Sequence, residues 1–332
     1  ELAILAQEIA EHDVRYYDEA APTVADQVYD ALRRRNDEIE RCFPDLVRSD
    51  SPLTRVGAPP SSGFAKVRHR VPMLSLQNAF SEEEVADFVS RVRKFLSLGD
   101  DEVLTLMAEP KIDGLSASLR YEHGTFVQGA TRGDGVTGED VTRNLQGVTG
   151  VPRRLEDAPG TVEVRGEVYM TDGAFQALNR AQEAAGKPPY ANRRNAAAGS
   201  LRQTDPTVTA SRKLNFVAYA AGDVSELRAT THAEILERIR GWSFPTNPDA
   251  RCCTTLADAL AAYRDIESRR ETLPWEVDGM VYKVDCLNWQ QRPTTSHEAA
   301  ATLPWPWAGS QCRVCPCHGK PWVRKKSKRT KE

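Results

Sequence analysis

A lysine in a short polar segment is the first residue whose position could do chemistry. Lys111 lies in EPKIDG (109–114), directly after an alternating stretch that predicts a strand. A protonated lysine, with an ordinary pKa of ~10.4, is a poor nucleophile, but partial burial and neighbouring cations free the amine. Most lysines in such segments are solvated surface residues, so this segment alone indicates only a candidate nucleophile.

Three later segments could bring further polar groups to the same place. They are EVRGEVY (163–169), LNFVAY (214–219) and VDGMVYK (277–283), and each has the composition of a strand. Any one of them could be an ordinary core strand. Their order along the chain, after the lysine segment, is the informative feature.

That order resembles the covalent nucleotidyltransferases, which include DNA ligases, RNA ligases and capping enzymes. Lys-x-Asp-Gly resembles their motif I, and the three later segments resemble motif III, the aromatic strand motif and motif IV. Longer segments are similar to those of bacterial NAD-dependent DNA ligases, namely PMLSL (72–76), TRGDGVTGEDVT (131–142) and YANRRNAAAGSLRQ (190–203). The resemblance covers roughly residues 1–285 and identifies their N-terminal adenylation region.

The resemblance implies a role for each matching residue. Lys111 would attack the α-phosphorus of NAD⁺ and carry AMP as a phosphoramidate, with release of nicotinamide mononucleotide (NMN). Within the nucleotide site, Glu109 would recognise adenine, Arg132 would contact AMP, Glu167 would contact the ribose or the metal, and Lys283 would approach the phosphate. Ser75 and Leu76 would belong to the segment that precedes the nucleotide pocket. Arg194 and Arg202 would contact the 5′-phosphate of DNA. Mg²⁺ or Mn²⁺ is expected near Glu167 and Asp278.

The N-terminal segment indicates which nucleotide is used. Tyr16, Tyr17, Asp26, Tyr29 and Asp30 match the NMN-contacting pattern of the NAD-dependent family. Aromatic rings can stack on the nicotinamide, and carboxylates can accept hydrogen bonds from the ribose. The alternative is an amphipathic helical hairpin with tyrosines in its core.

Periodicity predicts an α+β protein in three parts. The resemblance implies that these are a helical NMN-binding subdomain (1–65), a nucleotidyltransferase domain with antiparallel sheets (66–285) and a divergent tail (286–332). Asp26 is expected to cap a second helix that ends near Arg41, and residues 50–72 are expected to be a linker. Further predictions are helices over 82–96, 172–185, 231–240 and 256–269, a hairpin that turns at His123-Gly124, and strands over 161–170, 214–220 and 278–284.

Some features depart from the family or suggest another one. Gln77 replaces the usual acidic residue and Arg193 replaces the usual proline. The pattern Gly-x-Gly-x-x-Gly at 133–138 would suggest a Rossmann site, but it follows a hairpin rather than opening a βαβ unit. We therefore do not expect a Rossmann fold.

The tail differs in composition from the rest of the chain. From Cys286 onward there are nine Lys/Arg and two Asp/Glu, and no aromatic segment ending in the motif V lysine is present. We expect a frameshift or truncation near residue 286, a disordered or out-of-family tail, and no nick sealing by this chain alone. Cys312, Cys315 and Cys317 are too compressed, without a second spaced pair, to predict a zinc site.

The overall composition limits the remaining possibilities. The chain has 332 residues, a net charge of −3, seven cysteines and no apolar run near ~18 residues, which excludes an integral membrane protein with a helical span. Together with the resemblance, these features predict a monomeric enzyme of the bacterial cytoplasm and nucleoid that acts on nicked double-stranded DNA in replication and repair. The alternatives are an NAD-binding remnant unable to transfer AMP, and an ATP-dependent ligase or capping enzyme.

Overall fold

A computed structural model describes residues 1–13, 15, 24, 26–48, 50–52, 63–74, 77–99, 101–290 and 311–314. For residues 26, 27, 30, 77, 78 and 311–314 it describes the backbone only. The helices are α1 (Leu2–Asp13), α2 (Asp26–Cys42), α3 (Glu82–Leu96), α4 (Thr142–Leu145), α5 (Asp172–Ala184), α6 (Arg193–Leu201), α7 (Pro206–Ser211), α8 (His232–Gly241), α9 (Leu256–Arg269) and α10 (Leu287–Gln290). The strands are β1 (Lys66–Arg68), β2 (Gln77–Ala79), β3 (Leu106–Ile112), β4 (Leu115–Glu122), β5 (Thr125–Thr131), β6 (Thr137–Glu139), β7 (Thr161–Tyr169), β8 (Asn215–Val224), β9 (Arg251–Cys253), β10 (Val277–Val284) and β11 (Gln311–Val314).

The N-terminal region is helical, as predicted. Helix α1 buries Leu2, Leu5 and Ile9, which recur at helical spacing and so form one apolar face. Helix α2 begins at Asp26 itself. The Asp26 side chain lies outside the description, so its role as the cap of this helix stays a prediction.

Two large sheets form the rest of the fold. The five-stranded sheet has the order β2-β11-β10-β3-β9, and the four-stranded sheet has the order β5-β4-β7-β8. All of their pairs are antiparallel except β11 with β2. The predicted α+β class with antiparallel sheets is confirmed.

Each large sheet packs against its own apolar cluster. Helices α3 and α9 cover the five-stranded sheet through residues such as Phe88 and Ile266. In the four-stranded sheet, Leu119 and Val164 point into a second cluster. Because side chains alternate along a strand, the opposite face of β4 and β7 carries polar residues. This polar face supplies part of the candidate site.

The hairpin between β4 and β5 turns where the sequence predicts. His123 and Gly124 both have positive φ, of 48° and 73°, as a type I′ turn requires. The predicted linker over 50–72 was wrong in one part, because β1 pairs with β6 in a small third sheet. Strand β1 has only three residues, and its partner lies about 70 positions away. The local sequence therefore has no periodicity from which this strand could be predicted.

The segment 133–138 forms a turn between β5 and β6. Gly133 and Gly135 have φ of 55° and 87°, and no helix opens at this turn. A Rossmann phosphate site needs a strand, a glycine turn and then a helix, so that alternative does not apply here. In the part of the chain that the structure describes, no helix is both long and apolar enough to cross a membrane.

Candidate active site

Lys111 lies where the chain passes from one large sheet to the other. It is the penultimate residue of β3 in the five-stranded sheet, and β4 of the four-stranded sheet begins four residues later. Gly114 makes this close passage possible, since a Cβ there would lie 2.2 Å from the carbonyl oxygen of Val168. The nucleophile predicted from the sequence therefore stands at the junction of the two sheets.

Lys111 forms an ion pair with Asp278 on the neighbouring strand β10. The distance between Nζ and Oδ2 is 3.0 Å, and the two side chains are 23% and 31% exposed. The register of β3 and β10 shifts between Val277 and Met280, and Gly279 has a φ of 117°. A bulge of this kind turns a side chain away from its regular direction, which explains how Asp278 reaches Lys111.

A second cation approaches the junction from helix α6. Arg194 Nη1 lies 3.0 Å from Asp113 Oδ1. The helix is capped by Asn192, whose side chain accepts a hydrogen bond from the Asn195 amide, and this fixes Arg194 in the first turn. Arg194 thus pairs with a residue of the same segment, 109–114, that carries Lys111.

Glu167 completes this group from β7. It is buried, and its Oε2 accepts a hydrogen bond of 2.8 Å from Ser116 Oγ. Burial raises the pKa of Glu167, while Arg194 and then Lys111 act in the opposite direction. Both cations are therefore within electrostatic reach of this carboxyl group.

Glu109, two residues before Lys111 on the same face of β3, belongs to a buried cluster. Its Oε1 lies 2.7 Å from Lys283 Nζ and 2.8 Å from His232 Nε2. Burial alone would raise the pKa of Glu109, but Lys283 and His232 outweigh it and hold the pKa at about 2. Burial and the nearby Lys283 lower the pKa of His232, so the imidazole is neutral beside an ionised carboxylate.

Tyr219 on β8 connects the two groups. Lys283 donates a hydrogen bond of 2.8 Å to the Tyr219 carbonyl oxygen, and its ammonium lies 5.3 Å from the centroid of the Tyr219 ring. Burial, followed by the Glu167 carboxylate, raises the pKa of the Tyr219 hydroxyl to about 12. The ring is therefore a neutral aromatic surface between the Lys111 junction and the Glu109 cluster.

The buried cluster predicts a pH-dependent stability. In the unfolded chain a histidine takes up a proton near pH ~6.5, whereas folded His232 takes one up only at a lower pH because its pKa is lowered. The unfolded state then binds more protons, so the free energy of unfolding falls below this pH by up to about 1.4 kcal/mol per pH unit for one proton. Below about pH 4.5, the ordinary pKa of a glutamate, Glu109 lowers the free energy of unfolding further, because its pKa in the folded protein is about 2.

Urea unfolding at pH 8, 7, 6 and 5.5 measures this dependence. His69 contributes with the same sign, since burial also lowers its pKa. The His232 share is the difference between the parent and His232→Gln, which cannot titrate. An equal slope in both proteins would contradict the prediction.

The remaining predicted residues lie in different surroundings. The amide of Arg132 donates to the Ser116 carbonyl oxygen at 3.1 Å, which places it beside the polar face. Arg202 Nε is 2.7 Å from Oε2 of the buried Glu139. The Tyr29 hydroxyl donates to Asp13 Oδ1 at 2.6 Å. Outside the described residues or side chains lie Tyr16, Tyr17, Asp26, Asp30, Ser75, Leu76, Cys312, Cys315 and Cys317.

Lys283 has a buried partner that the sequence did not predict. Its ammonium is held by Glu109 at the adenine end implied by the resemblance, and Asp278 is the residue that contacts Lys111. Its contact with a phosphate stays a prediction. Among the described residues, no group of three or more His, Cys, Asp or Glu side chains could hold a metal ion. Mg²⁺ can be held by one or two carboxylates together with phosphate oxygens. Glu167 and Asp278 could supply those carboxylates, and a metal near them stays a prediction.

His232 is the site residue that sequence reasoning missed. Thr231 and Glu234 form a capping box, a signal that predicts where α8 begins. Nothing local indicates that this helix start packs on the end of β10, where the His232 amide donates to the Asp285 carbonyl oxygen at 2.7 Å. Only the tertiary fold brings the imidazole to Glu109.

Comparison with known proteins agrees with this arrangement. The family model described as "NAD-dependent DNA ligase adenylation domain" matches residues 61–299, and that of the "DNA ligase-like, N-terminal NAD+-binding domain" matches residues 1–57. The DNA ligase of Parvibaculum lavamentivorans is 55% identical over 294 residues, which cover 88% of this chain and 41% of that protein. For the DNA ligases of Rhodopseudomonas palustris and Rhodospirillum rubrum the identities are 54% and 52%, with 88% of this chain and 37% and 42% of those proteins covered.

The chain thus spans about two fifths of the length of these curated relatives. Within that span, the Lys-x-Asp-Gly segment, the strand that carries Asp278 and the cluster around Glu109 all lie inside the matched residues 61–299. The chain therefore belongs to the NAD-dependent DNA ligase adenylation domain family.

Proposed function

We propose that this chain performs the adenylation step of an NAD-dependent DNA ligase. The Lys111 amine attacks the α-phosphorus of NAD⁺, a P–N bond forms, and the P–O bond to NMN breaks. NMN leaves with the electron pair, and AMP stays on Nζ as a phosphoramidate. The observation that supports the proposal best is the Lys111–Asp278 pair at 3.0 Å, placed at the sheet junction between Glu167 and Glu109.

The first requirement of this step is a free amine. Lys111 must lose a proton before it attacks, and Asp278 Oδ2, 3.0 Å away, is the acceptor within hydrogen-bond reach. The partial exposure of both side chains lets that proton pass on to solvent. Asp278 thus orients the lysine and passes its proton on to solvent.

The second requirement is stabilisation of negative charge on the phosphoryl oxygens. Phosphoryl transfer depends chiefly on positioning and electrostatics. Arg194, which pairs with Asp113 in the segment that carries Lys111, is a cation that could supply this stabilisation. Glu167 and Asp278 would hold Mg²⁺. When bound, that ion would neutralise charge on the phosphates.

The third requirement is a place for the base. Glu109, Lys283 and the Tyr219 ring offer the base an acceptor, a donor and an aromatic surface. In a second step, AMP would pass to the 5′-phosphate of nicked DNA, where Arg194 and Arg202 could bind phosphates through their guanidinium groups. Nicked DNA, and a role in replication and repair, are thus part of the proposal.

Intact-mass measurement after incubation with NAD⁺ and Mg²⁺ tests the proposal. We expect a mass increase of one AMP group with NAD⁺ and none with ATP, and peptide mapping should place it on Lys111. Binding of NAD⁺ without an adduct would overturn the adenylation step and favour a binding remnant. An adduct from ATP alone would overturn the choice of nucleotide.

A further inference from the structure

His232 is buried in the site but has no part in the proposed step. It is the first residue of α8, and two contacts fix it on the end of β10. Its amide donates to the Asp285 carbonyl oxygen at 2.7 Å, and the Ala233 amide donates to Asp285 Oδ1 at 2.9 Å. The position of the imidazole is therefore set by the backbone and not by side-chain rotation alone.

The imidazole and Lys283 approach one oxygen of Glu109. Nε2 of His232 lies 2.8 Å from Oε1, Nζ of Lys283 lies 2.7 Å from the same atom, and the two nitrogens are 3.3 Å apart. Because the carboxylate only accepts hydrogen bonds, Nε2 carries its proton and donates to Oε1. Lys283 then also donates to Oε1, so this oxygen has two donors.

The second oxygen of Glu109 is in a different situation. None of the residues that the structure describes forms a hydrogen bond to Oε2. The Glu109 side chain is 5% exposed, and Oε2 is the oxygen left for a further donor. A carboxylate held through one oxygen in this way presents the other in a fixed direction.

We propose that His232 is a positioning residue that, together with Lys283, holds Oε1 of Glu109 and so presents Oε2 as an acceptor for the exocyclic amine of the bound base. The inference rests on the proposed function and deepens it. It assigns the choice between a 6-amino and a 6-oxo purine to the Glu109–His232 pair. A 6-oxo base would place its carbonyl oxygen against an acceptor and be rejected.

The chemistry gives a reason why Lys283 alone is insufficient. An ammonium is a compact donor without directional preference, and it can bridge both oxygens of a carboxylate. Without the imidazole, Glu109 can rotate so that Lys283 occupies both oxygens. The acceptor for the base is then lost while the ion pair is kept.

Calorimetric binding of AMP and IMP to the full chain tests the inference. The parent is expected to prefer AMP by at least about tenfold, because an unpaired buried acceptor opposes IMP. His232→Leu, which fills the volume without donating, should reduce the preference to about threefold or less. His232→Gln, whose amide can donate to Oε1, should keep most of the preference, and the shorter His232→Asn should lose it.

The inference would be overturned if His232→Leu and His232→Asn bound AMP and IMP equally more weakly and kept the preference for AMP. His232 would then have only a structural role. Thermal melting of each variant identifies any that does not fold. If His232→Leu does not fold, the comparison of His232→Gln with His232→Asn tests the inference. The adduct measurement separates the two proposals. If the parent chain prefers AMP but forms no adduct, the adenylation step is contradicted and the role proposed for His232 is still supported.

Discussion

Replacement of Lys111 by arginine is expected to abolish the AMP adduct, a loss of at least about 10⁴-fold in the adenylation rate. Arginine keeps the positive charge and can still pair with Asp278, which now lies 3.0 Å from Lys111 Nζ. Its guanidinium stays protonated at every accessible pH and is no nucleophile. The substitution therefore removes the reacting nitrogen and keeps the ion pair. Intact mass with NAD⁺ and Mg²⁺ is the measurement.

Lys187→Arg is the matched control, because Lys187 is exposed and lies in the turn after α5. It should form the adduct like the parent. Thermal melting should show Lys111→Arg to be folded, since its pair is partly solvated and contributes less than about 1 kcal/mol. An adduct of normal yield on Lys111→Arg would place the nucleophile on another residue.

Glu109→Gln is expected to lower the free energy of unfolding by about 3–5 kcal/mol. Glutamine has nearly the same shape, but it leaves the Lys283 ammonium buried without a counter-charge. The two side chains are only 4% and 5% exposed, so water can compensate little for the lost counter-charge. Urea unfolding at pH 7 measures the change. AMP binding should also weaken, because the side chain can present its amide NH₂ to the base.

Two further variants make this result specific to a buried pair. The double variant Glu109→Gln/Lys283→Met should be less destabilised than Glu109→Gln, because the unpaired charge is removed as well. Glu82→Gln breaks the exposed pair with Arg264, whose side chains are 37% and 60% exposed. It should cost less than about 1 kcal/mol. Equal costs for Glu82→Gln and Glu109→Gln would contradict the expectation.

Local patterns predicted most of the secondary structure of this chain. Helix α9 and helix α3 begin and end at the predicted residues, because capping residues and apolar periodicity are both present in these segments. The hairpin at His123-Gly124 was also predictable from its turn residues. Such features depend on neighbours in sequence, which a single chain displays directly.

The short strands could not be predicted in this way. Strands β1, β2, β6 and β9 have three residues each and exist through their partners. Strand β9, for example, pairs with β3 about 145 positions earlier in the chain. A segment of three residues has no detectable period, so only the assembled sheet shows that it is a strand.

The candidate site also contains some residues that local sequence predicts and some contacts that only the assembled fold shows. Motif resemblance named Lys111, Glu109, Glu167 and Asp278. The structure brings Lys111, Glu167 and Asp278 to the sheet junction and Glu109 to the buried cluster with Lys283. The resemblance did not indicate that Lys283 pairs with Glu109, or that His232 joins them. Those contacts depend on the register of β10 and on the docking of α8. Neither is encoded within a window of a few residues.

The junction that holds Lys111 also has a consequence for how the protein is made. Lys111 and Asp278 are 167 positions apart, and the whole four-stranded sheet lies between them in the chain. A ribosome that adds ~5–20 residues per second delivers the lysine roughly 8–30 s before the aspartate. During that interval β3 lacks its neighbour β10, while β4, β5, β7 and β8 can already pair. The nascent chain therefore acquires its nucleophile early and its reactive geometry last.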